Sequence, residues 1–365
     1  MNKLRILLVT DAVGGVWVYS LELARALEPL GIETVLAVVG PSPRSEQLQR
    51  VGNIRTLHTG LPLEWLDTDP TEIECAAKAL ALIASREGVD VVQTSSAALL
   101  AGGTFDQPCV AVQHSCVATW WNAVKGTSLP PDMEWRRSLV ARGLAKADAI
   151  VAPTSAFATA TEEAYSLDRP VLAVPNGRST EAVRPLPQGD FVFAAGRLWD
   201  EGKNVRTLDR AAAQISIPFQ AAGATAGPNR ATVELNHLQA AGELSEERVR
   251  GLLAARPIFA SAALYEPFGL SVLEAAQAGC ALVLSDIPTH RELWDGVALF
   301  VDARDDHGFA EAISGLFGDR DERNRLGEAA RDRARRYGPD EMARAMADIY
   351  ERVAEAPPHL AMDAA

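Results

Sequence analysis

Short apolar runs recur along the chain, each followed by a stretch whose apolar positions are spaced for a helix. Residues 4–10, 34–39, 89–94, 109–113, 149–152 and 171–174 are rich in Val, Ile, Leu and Ala and lack polar alternation. Such runs predict parallel strands buried on both faces. Between the first two lies 16–30, with Leu23, Leu27 and Leu30 at helical spacing and Gly31 as a stop. Strand, turn, helix, strand is a βαβ unit, and its repetition predicts a doubly wound α/β domain.

The pattern breaks at 175–190, where PNGRSTEAVRPLPQGD carries three prolines, two glycines and no apolar period. This reads as an interdomain connection. Strand runs then resume at 191–195, 219–222, 258–260, 281–284 and 297–301, with helical stretches at 204–214, 246–255, 270–278, 306–317 and 322–337. A last helix over 340–354 carries Met342, Met346, Ile349 and Tyr350 as an amphipathic stripe that needs a partner surface, and the tail from Pro357 is expected to fray. The expected division is therefore a first Rossmann-like domain over 1–178, a second over 179–340, and a closing helix over 341–356. Two such domains facing each other would turn their strand C-termini toward a shared cleft, where this architecture binds ligands.

At 365 residues the chain is about two to two and a half times a single-domain prior of roughly 150. Its net charge is −13, and both halves are acidic. That balance argues against a nucleic-acid partner and against attachment to anionic lipid by bulk charge. The apolar run in MNKLRILLVTDAVGG is too short to span a membrane and lacks a small-residue cleavage site. Cys75, Cys109, Cys116 and Cys280 show no CxxC spacing, so reduced, buried thiols in a cytoplasmic protein are expected. No metal cluster is visible in the sequence.

Candidate chemistry falls just after predicted strands. Glu266-Pro-Phe268-Gly269-Leu270-Ser271-Val-Leu-Glu274 follows the strand at 258–260 and opens an apolar helix. Gly269 permits close backbone approach, and N–H groups around 270–273 would face an anion at a helix N-terminus. The two glutamates are eight positions apart, at most about 12 Å along a helix axis. That reach suits a ligand with a sugar at one end, a ribose at the other and a diphosphate between. An ionised carboxylate only accepts hydrogen bonds, which suits it to sugar hydroxyls. Gly196-Arg197-Leu-Trp-Asp200-Glu201-Gly-Lys203-Asn204 follows the strand at 191–195, and its two cations would neutralise a departing diphosphate without a divalent metal. The plainer alternative is a basic loop paired with Asp200 and Glu201.

Together these motifs make the chain resemble retaining glycosyltransferases of family 4, which have the GT-B fold of two facing Rossmann-like domains with a cleft between them. The resemblance covers nearly the whole chain and is strongest from Phe191 to Tyr350. It implies that Glu266, the first glutamate of the family's E-x7-E pattern, contacts the transferred sugar, and Glu274 the donor ribose. It also implies that Arg197 and Lys203 bind the diphosphate, and that Gly14 and Gly15 approach the donor from the first domain. His114, at the end of a first-domain strand, would contact the donor sugar near the reacting centre; a satisfied core histidine is the rival. The implied catalytic set is His114, Glu266, Arg197 and Lys203. Gly14, Gly15, Arg197, Lys203, Glu266, Phe268, Gly269, Leu270, Ser271 and Glu274 form the implied substrate-binding set. The first domain would bind the acceptor and the second the nucleotide sugar, with the closing helix returning to the first.

What the resemblance implies is metal-independent, retaining transfer from a nucleoside-diphosphate sugar to an acceptor hydroxyl, with no cofactor beyond the donor. The acceptor, whether sugar, lipid-linked or small molecule, is not readable. A nucleotide-sugar sensor and a GT-B epimerase or phosphorylase are the alternatives. A nicotinamide oxidoreductase ranks below them, because the first turn is Asp11-Ala-Val-Gly-Gly and not GxGxxG. Leu244-Ser245 matches the usual position for contacts to the base, although Ser245-Glu246-Glu247 also reads as a helix cap. His290 and Arg291 read as structural or solvent-facing. Asp67-Thr-Asp69 imitates a metal signature, but Asp69-Pro70-Thr-Glu72 reads as a helix start. Trp120, Trp121 and Trp135 offer flat surfaces for an acceptor or simple packing.

Overall fold

The computed structural model describes residues 4–66, 68–179 and 186–356. Asp67, the middle of the predicted interdomain connection and the tail from Pro357 lie outside the described residues. The chain divides into two compact units. One holds the residues up to Asn122, Thr127–Gly177 and those from Pro339 onward; the other holds Arg178–Gly338 with the short piece Ala123–Gly126.

The first unit runs β1 (Arg5–Asp11), α1 (Gly15–Leu27), β2 (Glu33–Val39), α2 (Ser45–Gln49), β3 (Arg55–His58), α3 (Pro70–Glu87) and β4 (Val91–Thr94). It continues with β5 (Cys109–Val112), α4 (Val117–Lys125), α5 (Glu134–Lys146), β6 (Ala149–Ala152), α6 (Ser155–Tyr165) and β7 (Leu172–Ala173). The seven strands form one sheet in the order β3-β2-β1-β4-β5-β6-β7, and all its ladders are parallel. Leu8 pairs with Leu36 on one side and Gln93 on the other. Strand order reverses between β1 and β4, the place where a doubly wound sheet opens a crevice.

The second unit holds β8 (Val192–Ala195), α7 (Val205–Ala212), β9 (Phe219–Ala222), β10 (Gln239–Ala240), α8 (Glu246–Ala254) and β11 (Ile258–Ser261). After these come α9 (Leu270–Ala278), β12 (Ala281–Ser285), α10 (Pro288–Trp294), β13 (Leu299–Val301), α11 (Asp306–Gly318) and α12 (Arg320–Ala334). Its parallel six-stranded sheet has the order β10-β9-β8-β11-β12-β13, so its reversal lies between β8 and β11. Alternate residues feed two cores: Val192 and Ala194 pack with Ala260, Phe309 and Ile313, while Phe193 packs with Phe259, Leu282 and Trp294.

The last helix, α13 (Pro339–Glu355), packs into the first unit. Met342, Met346, Ile349 and Tyr350 are buried there with Trp17, Tyr19 and Leu23. Tyr350 Oη donates to Gln93 Oε1, and Gln93 Nε2 donates to Tyr19 Oη at 3.4 Å. This polar chain lies within an otherwise apolar core, and both phenols are held far above their ordinary pKa by burial.

Three expectations need correcting. The helix over 16–30 ends at Leu27; Pro29 lies in a 3₁₀ turn and Leu30 is exposed. Cys75 is an exposed free thiol on α3, whereas the other three are buried. The edge strands β3 and β10 were not expected, because neither has an apolar run. No helix among the described residues is long and apolar enough to cross a membrane.

Candidate functional site

The loops after β8 and β11 lie side by side at the strand reversal of the second unit, and both predicted motifs occupy them. Gly202 O accepts from Leu264 N at 2.8 Å and Tyr265 N at 3.2 Å, which ties one loop to the other. Asn204, in the left-handed region at φ 50°, donates from Nδ2 to Ala262 O at 2.9 Å and Ala303 O at 2.6 Å. Three strand-end loops are thereby fixed by one amide side chain.

Lys203 Nζ forms an ion pair with Glu266 Oε2. The expected alternative partner, Glu201, is not the one it takes. Arg197 pairs with Asp200 at 2.8 Å, and its guanidinium lies 5.6 Å from the Trp199 ring centroid. Asp200 also accepts from Gly202 N at 2.9 Å. For Arg197 the plainer reading of a paired loop therefore holds in part, but this bond uses one of its five N–H donors.

Gly269 caps α9 at φ 88°, a conformation that favours glycine. A Cβ there would lie 3.2 Å from Glu266 Cγ, so the Glu266 side chain packs against the start of α9. The N–H groups of Leu270 and Ser271 belong to that first turn, where no intrahelical acceptor exists. Phe268 is buried against the Tyr337 ring, 5.8 Å between centroids, and so supports the loop from below.

Glu274 lies on α9 and is part of an ion-pair cluster the sequence did not suggest. Arg178, buried, donates from Nε to Glu274 Oε1 at 2.8 Å and from Nη2 to Glu246 Oε2 at 2.9 Å. Nothing local to Pro175-Asn-Gly-Arg178 signals this, because its partners are 96 and 68 residues away. His290 takes the structural alternative. It is fully buried, its Nδ1 lies 3.1 Å from both Ser285 Oγ and Ser285 O, and Ser285 Oγ donates to Ala263 O at 2.6 Å. Burial lowers its pKa, despite the nearby Glu266 charge. Ser285 O can only accept, so Nδ1 carries the proton.

In the first unit, Gly14 and Gly15 are exposed at the start of α1; Gly14 caps it at φ 71°, and Asp11 Oδ1 accepts from Val13 N at 2.6 Å. His114 follows β5, edge-on to Tyr19 with ring centroids 4.3 Å apart. Its Nε2 is buried without a hydrogen-bond partner, and burial lowers its pKa to about 4. It is not a fully satisfied core histidine.

The weaker candidates have structural partners. Asp69 caps α3 by accepting from Thr71 N and Glu72 N, and Ser245 caps α8 by accepting from Arg248 N at 3.3 Å. Arg291 is exposed and pairs with Asp286 and Asp295. Arg136 stacks 4.3 Å from the Trp135 centroid, and Trp121 Nε1 donates to Thr127 at 3.2 Å. Among the described residues no cluster of His, Cys, Asp or Glu could hold a metal ion.

The model of Glycosyltransferase Family 4 matches residues 13–182, and that of Glycosyl transferases group 1 matches 229–333. A D-inositol 3-phosphate glycosyltransferase from Xylanimonas cellulosilytica is 28% identical, over 96% of this chain and 94% of the relative. Sucrose-phosphate synthase from Thermosynechococcus elongatus superposes with a TM-score of 0.79 at 18% identity, over 96% and 99% of the two chains. Anabaena Alr3699/HepE in complex with UDP-glucose superposes with a TM-score of 0.73 at 16% identity, over 95% and 99%.

Proposed function

Since the chain belongs to glycosyltransferase family 4, with the GT-B fold, and is a glycosyltransferase, we propose that it moves a hexosyl group from a nucleoside diphosphate to an acceptor hydroxyl. The transfer we propose retains the anomeric configuration and needs no divalent metal. The observation that carries this reading is the Lys203–Glu266 pair beside the N-terminus of α9. One cation, one carboxylate and a row of helix N–H donors meet at the strand reversal of the second unit. These groups suit a diphosphate joined to a sugar.

In the mechanism we infer, the second domain holds the donor and the first receives the acceptor. Glu266 accepts hydrogen bonds from the transferred sugar, and Glu274 from the ribose. Arg197, Lys203 and the N–H groups of Gly269, Leu270 and Ser271 hold the diphosphate. As the glycosidic bond breaks, its electron pair passes to the β-phosphate oxygen, and these donors offset the growing charge. The acceptor hydroxyl attacks the same face, and its proton passes to the departing phosphate. In this reading Glu266, paired with Lys203, binds hydroxyls and forms no covalent intermediate. His114, neutral and with Nε2 unpartnered, offers a hydrogen-bond acceptor to a sugar hydroxyl.

UDP-glucose, which Alr3699/HepE holds, is the first donor to test, and the Xylanimonas relative's name makes a phosphorylated cyclitol the first acceptor. We place the reaction in the cytoplasm. Thermal melts with UDP-, GDP- and ADP-sugars in excess chelator test the donor class. A ligand at about 100 times its Kd stabilises the native state by about 2.7 kcal/mol. No shift with any nucleotide sugar overturns the reading.

A further inference from the structure

Arg178 is held by more of the second unit than its sequence context suggests. Its backbone N donates to Tyr337 O at 3.1 Å, and its O accepts from Gln277 Nε2 at 2.8 Å. Gln277 and Glu274 are both on α9, so Arg178 grips that helix by its carbonyl and by its guanidinium. Its side chain is only 7% exposed, whereas those of Glu274 and Glu246 are 28% and 37% exposed. The buried cation thus lies behind two carboxylates that reach solvent.

The bonds to Glu274 and Glu246 leave from Nε and Nη2, along one edge of the guanidinium. The two carboxylates are therefore neighbours, and the cation between them offsets their mutual repulsion. Their oxygens are hydrogen-bond acceptors. Two adjacent acceptors of this kind match a vicinal diol. Glu246 is also in the first turn of α8, where the helix dipole favours a negative charge.

We propose that Arg178 is a positioning residue that holds Glu274 and Glu246 side by side as the acceptors for the 2′- and 3′-hydroxyls of the nucleotide ribose. This rests on the reading of Glu274 as the ribose carboxylate. It adds Glu246 as a second ribose contact and makes Arg178 the group that sets their spacing.

Calorimetric titration with UDP, GDP and ADP, each beside its 2′-deoxy counterpart, tests the proposal. The wild-type protein prefers the ribose form of its best nucleotide by at least about tenfold. Arg178→Gln reduces that preference to less than about threefold, with binding of the deoxy form nearly unchanged. Arg178→Lys restores only part of it, since an ammonium lacks the two-donor edge. If Arg178→Gln does not fold, Glu246→Gln keeps the cation and gives the same loss of preference. A merely structural Arg178 would change melting temperature and leave the ribose-to-deoxyribose ratio alone. Wild-type preference retained in a folded Arg178→Gln, or in Glu246→Gln when the former does not fold, overturns the proposal while leaving Glu274 in place. A wild-type protein with no ribose preference, or a Glu274→Ala variant that keeps it, overturns the reading of Glu274 itself.

Discussion

Lys203 and Glu266 are 63 residues apart in the chain and bound to each other as an ion pair, with 20% and 10% of their side chains exposed. Each comes from a different loop at the strand reversal of the second unit, so the pair joins the two motifs into one site. Replacing Lys203 with Ala is expected to lower kcat at least about tenfold, with a smaller effect on donor Kd, because the charge it offsets grows toward the transition state. Adding Arg197→Ala should cost less than the sum of the single losses, since both act on one diphosphate. Steady-state kinetics beside thermal melts decide this. A folded Lys203→Ala enzyme at the wild-type rate removes Lys203 from the chemistry.

The hydrogen-bonded row Tyr350–Gln93–Tyr19 ties α13 to the first unit's core. Tyr350→Phe leaves the Gln93 carbonyl without its donor inside a dry core, which should destabilise the fold by about 1–3 kcal/mol. Urea denaturation of the two proteins measures it. An unchanged midpoint would mean that the helix is held by its apolar stripe alone.

Asp209 anchors the segment before β10. Burial opposes its ionisation, but N–H donors from Leu238, His237 and Asn236 outweigh that and hold its pKa below the ordinary value. A depressed carboxylate contributes stability that is present above its unfolded value, about 3.9, and is lost as pH falls through the folded one. Asp209→Asn should therefore cost about 1–3 kcal/mol at neutral pH, and the gap to wild type should close as the pH falls below about 4. Denaturation at several pH values tests both parts; a gap independent of pH would assign the loss to packing.

His114 and His290 give stability a pH dependence of the same sign as Asp209, through burial of a neutral base. Burial lowers both, His114 to about 4, so both are neutral when folded near pH 7. Unfolded, each titrates near 6.5, and the unfolded chain then binds protons the folded one refuses. Stability should thus fall as pH drops from about 6.5 toward about 4, and His290→Asn should flatten part of that slope. Melting curves over this range report it. An identical slope in the variant would show that His290 is protonated in the fold.

Legibility in the sequence followed burial. Ala149–Ala152 and Phe219–Ala222 are readable to the residue, because a parallel strand covered on both faces is mainly apolar, with Gln220 the one polar position. Arg55–His58 and Gln239–Ala240 are not, since each pairs on one side only and needs no apolar run. Among the candidate site residues, Lys203 and Glu266 could each be picked out, but not their pairing, which arises from the strand order. Arg178 was invisible for the same reason: its meaning lies in Glu274 and Glu246, which reach it only once α8 and α9 are folded.

Nucleoside-diphosphate release from the best-binding nucleotide sugar, with a phosphorylated cyclitol supplied as the acceptor and in excess EDTA, is compared between wild type and Glu266→Ala and addresses the proposed chemistry itself. Steady release by the wild type, and a loss of about a hundredfold or more in a folded Glu266→Ala protein, is the predicted result. Release that stops in chelator and returns with Mg²⁺ or Mn²⁺, or a Glu266→Ala protein as fast as wild type, would contradict it.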